Sequence, residues 1–310
     1  MGKRKQGTLI FAHQHSFGIP ISVYQRKLVF PLFLSVFIRV HPRSSVDPFL
    51  LALISRKQPL CLRYHPGVPR FKDQAVCIRE IDWSETSQIV VLLAREHGKL
   101  SGVAKGSKRQ SPSAIQRFSG GIELLTRGEI VATTRPTSEL ATLTEWDLQA
   151  DFFHLRRSLA AQHRAMYAAD ITHALLADFD PHPAVFDGLC ALIESLADAA
   201  RHEAALLRYQ WLLLSETGYR PQLDVDVRTG ETLEPQRVYT FDAVAGGITM
   251  QPGDSDWQVR RQTVELLRRV DASGDCGEDE PACQRANRLL CVYIRAMLDR
   301  ELPTMRVVLK

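Results

Sequence analysis

Long apolar runs are missing from this 310-residue chain: the most hydrophobic stretch, Leu28 to Ile38, is interrupted by Pro31 and Ser35 and falls far below the roughly 20 residues that cross a bilayer. No membrane association is expected. Nor does the stretch read as a signal-peptide core, because the polar region before it is too long and no small-x-small cleavage site follows. A cytoplasmic location is expected. Paired cysteine spacing is also missing. Cys61, Cys77, Cys190, Cys276, Cys283 and Cys291 are scattered, and a chain of this size buries a core without staples. Cys276, Cys283 and Cys291 lack the short C-x-x-C type of spacing that zinc sites use and read as ordinary thiols. Catalytic signatures are missing as well. There is no Gly-x-Ser-x-Gly elbow, and Gly102 to Lys108 has the wrong spacing for a phosphate loop. Asp224 and Asp226 could be paired for metal-assisted hydrolysis, but a solvated turn explains them more simply. The expectation is no enzyme and no cofactor.

Basic charge looks plentiful and is not. The formal net charge is +4, yet residues 1–72 hold 12 basic residues and one acid, Asp47, for a net of +11. Residues 73–310 hold 27 basic against 34 acidic residues, a net of −7. Residues 1–72 show no sustained period of 2 or 3.6. They read either as a basic arm with non-specific affinity for nucleic acid or as an upstream extension of the reading frame from a start near Val68 or Val76. No methionine lies between Met1 and Met166.

Regular patterning begins near Gln74. Ala75 to Asp82 alternates as a half-buried strand, and Ile89 to Leu93 is a β-branched apolar run broken by Glu96-His97-Gly98. Leu100 to Lys105 reads as a third strand, and Ile122 to Leu125 with Glu129 to Ala132 as a hairpin about Arg127-Gly128. Five short strands fit a small barrel such as an OB-fold. Within it, Arg95, Lys99, Lys105, Lys108, Arg109 and Arg117 face only Glu96, a local net of +5. Lys99, Lys105 and Lys108 are three of only four lysines beyond Lys72. Cations beside Gly102, Gly106 and Ser107 suit a phosphate backbone that must approach closely, although short charge runs also serve as solvated hairpins. Trp83 and Phe118 are candidate stacking platforms or core.

From Asp151 to Thr217 the apolar residues recur at helical spacing, and Asp180-Pro-His-Pro183 separates two helices. Further helices are expected over Val259 to Val270 and Ala286 to Leu298, with a solvated loop from Ser273 to Glu280 between them. His154, His163 and His173 sit among apolar neighbours and read as structural. The fold class is therefore α+β. It divides into a basic irregular extension at 1–72, a barrel at 73–148 and a helical domain at 149–310.

The order Glu85-Thr86-x-x-Ile89-Val90, Arg95-Glu96-His97-Gly98-Lys99-Leu100 and Gly102-Val103-Ala104-Lys105-Gly106 resembles the N-terminal OB domain of the RecO family of bacterial DNA repair proteins. Asp180 to Phe186, Gly218 to Asp224 and Leu298 to Leu309 continue the resemblance to the C-terminus. It implies a recombination mediator that binds single- and double-stranded DNA and anneals complementary strands. Such a mediator works with RecR and helps RecA replace single-stranded DNA-binding protein. The six cations from Arg95 to Arg117 would then contact DNA. Arg156, Arg157 and Arg164 would contact the acidic, Phe-ending tail of single-stranded DNA-binding protein. Many members carry a four-cysteine zinc site, whose positions here read Asp226, Thr229, Met250 and Gly253. This leaves a degenerate zinc-finger-like loop, and no zinc is expected. The alternative is an OB-fold module binding RNA or a protein without annealing.

Overall fold

The computed structural model describes residues 70–135, 138–251, 253 and 257–309; both expectations for the stretch 1–72 lie outside the described residues, its last three positions excepted. Strand β1 (Arg70–Asp82) starts ahead of the expected position. Its first half carries Arg70, Lys72 and Gln74 outward while Phe71, Asp73 and Ala75 turn inward, so the charges hid the period of two. The strands β2 (Gln88–Ala94), β3 (Gly98–Ala104), β4 (Arg127–Thr133) and β5 (Ala141–Ala150) follow. They close a barrel in the order β1-β2-β3-β5-β4, with β3 and β5 parallel.

Two expectations inside the barrel are corrected. Ile122 to Leu125 is not a strand: Ile122 and Leu125 are both buried, three residues apart, while Glu123 and Leu124 between them are exposed, which alternation forbids. The fifth strand is Ala141–Ala150, where Ala141, Leu143 and, past a bulge opposite Val131 and Ala132, Trp146 fill the interior. A short helix, α1 (Pro112–Phe118), joins β3 to the segment before β4. Ser111 caps it by accepting from the Ala114 amide, Pro112 fits its first turn, and Phe118 is driven into the barrel core. Phe118 is thus core and not a platform.

The helical part comprises α2 (Leu159–Leu175), α3 (Pro183–Ser195), α4 (His202–Glu216), α5 (Arg261–Ser273) and α6 (Glu280–Leu298). A three-stranded sheet, β7-β6-β8, lies between α4 and α5 in sequence. It is formed by β6 (Val238–Asp242), β7 (Gly247–Thr249) and β8 (Trp257–Arg260). Among the described residues no helix is long and apolar enough to cross a membrane.

The barrel has two apolar faces. Ala75, Cys77, Val90 and Leu92 point inside, whereas Val76, Ile78, Val91 and Leu93 belong to the same buried cluster as α2, α3 and α4. At one edge of this contact the segment Arg95 to Lys99 meets the segment Asp178 to Asp187. Phe179 donates its amide to Lys99 O at 2.7 Å, and Arg95 makes a two-pronged ion pair with Asp187 at 3.1 and 2.9 Å. Gly98 is required there. Its φ is +71°, and a Cβ would lie 2.3 Å from the Asp180 carbonyl oxygen, backbone that cannot swing aside. Gly98→Ala is expected to cost about 3 kcal/mol of stability, read as a lower urea midpoint with an unchanged slope. An unchanged midpoint would show that the seam between barrel and helices yields.

Candidate nucleic-acid interface

The six expected cations do not gather into one ribbon. Lys99 is buried, its ammonium donating to His173 O at 2.9 Å and lying 3.1 Å from Asp178. Burial together with the Lys99 and Arg79 charges lowers the His173 pKa. Arg95 is held by Asp187 and Glu96. These two, expected to face phosphates, instead fasten the barrel to the helices. Arg117 is exposed and stacks on Phe118, but it borders a separate hollow lined by Glu129, Glu145 and Asp147 together with Lys72, which is paired with Glu129.

The remaining three converge at one rim. The β1–β2 loop is a tight turn closed by Ser84 and Ser87, and Trp83 stands out from it with 67% of its surface exposed. The β3–α1 loop is sewn to this turn: Lys108 donates its amide to Thr86 O at 3.1 Å, and Gly106 donates to Ser87 Oγ at 3.2 Å. Beneath both lies Gln88, buried at 2%. Its side chain accepts from Ser107 Oγ at 2.9 Å and from the Ile122 amide at 3.2 Å, and donates to Ile122 O at 3.0 Å. Satisfied on every side, this amide fixes three chain segments at once. Gln88 went unnoticed in the sequence, where a lone Gln at the head of an apolar run carries no signal.

On that rim Lys105 and Arg109 are exposed, and among the described residues neither has an ion-pair partner, while Lys108 is paired with Asp82 and Glu80. Gly106 (φ +74°) lets the Arg109 side chain lie against the loop, 3.5 Å from where a Cβ would stand. The arrangement is an exposed indole on one loop and two free cations on the loop hydrogen-bonded to it, both mounted on a rigid base. Such a set can stack a base and neutralise the adjoining phosphates. The outer face of β2, which an OB barrel offers to oligonucleotides, is partly occupied, because Val91 and Leu93 are buried under the helices.

A second patch surrounds Phe153, exposed at 49%. Arg156 and Arg157 place their guanidinium groups 5.8 and 5.2 Å from its ring centre, Arg156 being also paired with Glu123, and Leu159 is exposed beside them in sequence. Arg164, expected with these two, is instead held against Glu203, whose other carboxylate oxygen accepts from Asn287 Nδ2 at 2.7 Å. It belongs to the helical interior's polar network.

The four positions of the degenerate zinc loop do not fit a thiolate site. Asp226, expected in a solvated turn, is 1% exposed. Its Oδ1 accepts from the amides of Arg228 and Thr229 at 2.7 and 3.0 Å; its Oδ2 accepts from the Met250 amide; and Thr249 Oγ1 approaches both oxygens. Met250 Sδ takes Gln236 Nε2 at 3.1 Å, and Gly253 has no side chain. Two turns that thiolates would pin through a metal are here pinned to a single carboxylate. Burial pushes the Asp226 carboxyl up, but the amides of Met250, Arg228 and Thr229 outweigh it and hold it below its ordinary value. Asp224, by contrast, is exposed and paired with Arg268 at 3.1 Å. The two carboxylates therefore do not work as a pair.

The family models described as Recombination protein O N terminal and Recombination protein O C terminal match residues 69–152 and 156–306. The DNA repair protein RecO of Anaeromyxobacter dehalogenans (strain 2CP-C) is 33% identical over 246 residues, 76% of this chain and 95% of that one. RecO of Methylococcus capsulatus (strain Bath) is 28% identical over 243 residues, 74% and 91% of the two chains. RecO of Myxococcus xanthus (strain DK1622) is 29% identical over 184 residues, 59% and 72% of the two.

Proposed function

The chain belongs to the RecO family, whose role lies in DNA repair and recombination, and from that premise we propose that it anneals complementary DNA strands through the rim of its barrel. The observation that carries the reading is exposed Trp83 on one loop and the unpaired Lys105 and Arg109 on the loop bonded to it through the Lys108 and Gly106 amides. The mechanism is non-covalent. Cations neutralise phosphates of one strand, lowering the repulsion a second strand meets, while stacking splays bases so that their pairing edges stay free. The same reading gives the protein single- and double-stranded DNA, RecR and single-stranded DNA-binding protein as partners. It assigns the exposed Phe153, flanked by Arg156 and Arg157, to the acidic tail of the last, since a basic and aromatic patch suits a peptide that combines carboxylates with a phenyl ring. Once strands are annealed and the coating protein is held, RecA loading follows from exchange and not from chemistry at a catalytic group.

The test is annealing of complementary single strands, bare and coated with single-stranded DNA-binding protein, together with the salt dependence of single-strand affinity. Removing both rim cations in the Lys105→Ala, Arg109→Ala double variant is expected to slow annealing. It should also reduce the slope of log K against log salt by roughly 1.4, at about 0.7 per phosphate contact. An unchanged slope would take the rim out of the site. Strong binding to RNA or to a protein without annealing would replace the reading with a non-annealing interaction module.

A further inference from the structure

Away from the rim, the helical part holds a pair of thiols that DNA contact does not use. Cys276 is 2% and Cys283 1% exposed. The Cys276 thiol donates to Ala204 O of α4 at 3.4 Å and the Cys283 thiol donates to Cys276 O at 3.6 Å, which brings the Cys283 sulfur against the Cys276 backbone. Their surroundings are lopsided. From Asp271 to Pro281 every residue except Cys276 is exposed, so only a single layer of loop separates the pair from water. Among the described cysteines, burial pushes Cys77 and Cys190 above the ordinary thiol range and Cys291 up to about 11. Cys276 alone is held below it, by the Cys283 thiol first and then by the charges of Arg208 and Arg269, against its own burial and Asp275. The Cys283 thiol is raised, first by the Cys276 sulfur beside it, then by burial and by Glu203 and Asp279.

We propose that Cys276 and Cys283 form a peroxide-responsive dithiol that closes reversibly to a disulfide across the α5–α6 loop. In the first step the Cys276 thiolate attacks one oxygen of hydrogen peroxide. An S–O bond forms, the O–O bond breaks, and hydroxide leaves and is protonated to water. In the second, Cys283 attacks the sulfenic sulfur of Cys276. The S–S bond forms, the S–O bond breaks, and the Cys283 proton leaves with the hydroxyl as a second water. Two thiols lose two electrons in all and one peroxide gains them. Cys276 is suited to the first step because it sits in the loop with exposed residues on both sides, where the nucleophilic thiolate meets peroxide first. Cys283 is suited to the second because its sulfur already lies against Cys276, 3.6 Å from that residue's carbonyl oxygen. The closed ring would tie the acidic segment Asp275 to Glu280 to the first turn of α6, which Asp279 caps by accepting from the Ala282 amide at 3.0 Å. A dithiol reductant reopens it.

The full-length protein is treated with hydrogen peroxide, quenched, unfolded and alkylated. Two of its six thiols are expected to become unreactive with a mass loss of about 2 Da. Peptide mapping should join the segments carrying Cys276 and Cys283, and reductant should restore all six. Cys276→Ser and Cys283→Ser should each abolish the cross-link. Should either fail to fold, the converse variant, with Ser at Cys61, Cys77, Cys190 and Cys291, must still lose both remaining thiols together. A disulfide through another cysteine, stepwise gain of oxygen at Cys276 without a cross-link, or six free thiols after peroxide would each overturn the proposal.

Discussion

Replacing Asp226 by Ala is expected to cost about 3 kcal/mol of stability, roughly a hundredfold in the folding constant. The size follows from what the carboxylate holds. Three backbone amides from two separate turns and the Thr249 hydroxyl converge on it in a site 1% exposed. Bonds to a charged acceptor are the stronger kind, and each amide left behind is a buried donor with nothing to accept its proton. Neighbouring Asp242 repeats the device, accepting from the amides of Val244 and Ala245 at 2.9 Å and from Arg228, which links the two sites. The sign of the pH dependence follows from the lowered carboxyl pKa. The unfolded chain binds the proton more readily, so the stabilisation is complete above the ordinary Asp value near about 4 and is lost as pH falls through the lower folded value. Urea titrations of the parent and Asp226→Asn should therefore differ at neutral pH and converge toward acid. A constant gap from pH 7 to pH 3 would remove the charge from the account, and an unshifted midpoint for Asp226→Ala would remove the carboxylate altogether.

Trp83→Ala is expected to weaken single-strand binding by about 1–3 kcal/mol, roughly 5- to 150-fold, the range found when an aromatic platform under a stacked base is truncated. Because no charge is removed, the salt slope should stay as in the parent, the opposite of what the rim-cation variant shows. Duplex affinity should change less, since paired bases offer no free face. Quenching of indole emission by single-stranded DNA provides a direct readout. Trp146 and Trp211 are buried and will respond weakly, and a Trp257→Phe background removes the other exposed indole. Parent-like affinity in Trp83→Ala would place the bases elsewhere.

The rim was partly visible in the sequence because it is local. Trp83, Lys105, Lys108 and Arg109 sit on two short loops next to strand ends, and glycines and serines announce such loops. What the sequence could not display is direction. Lys99 belongs to the same basic run, but its ammonium is spent on a carbonyl 74 positions away, and no local pattern reveals that the helices dock on that edge. The apolar run of β2 concealed a similar division: Val90 and Leu92 face one core, Val91 and Leu93 another, which is why it showed no alternation at all. The fifth strand is legible as Ala141-x-Leu143, whereas Ile122 to Leu125 offers apolar residues that plug the barrel without pairing. For Asp226 the residue type misled. A lone Asp between turns is usually solvated, and only the amide of Met250, 24 positions on, joining those of Arg228 and Thr229 makes it interior.

The division of apolar residues between the two faces of β1 and β2 bears on inheritance. The two family segments meet at residues 152 and 156, and the chain crosses there through Phe152, buried in the shared cluster with a φ of +45°. A genetic crossover at that point would look tidy in an alignment. It would nonetheless mate Val76, Ile78, Val91 and Leu93 from one parent with helices shaped for another's side chains, a mismatch that close-packed interiors tolerate poorly. Hybrids between distant relatives should survive only when these four outward residues travel with the helices they touch, so the barrel and its helices are transmitted as a single heritable block.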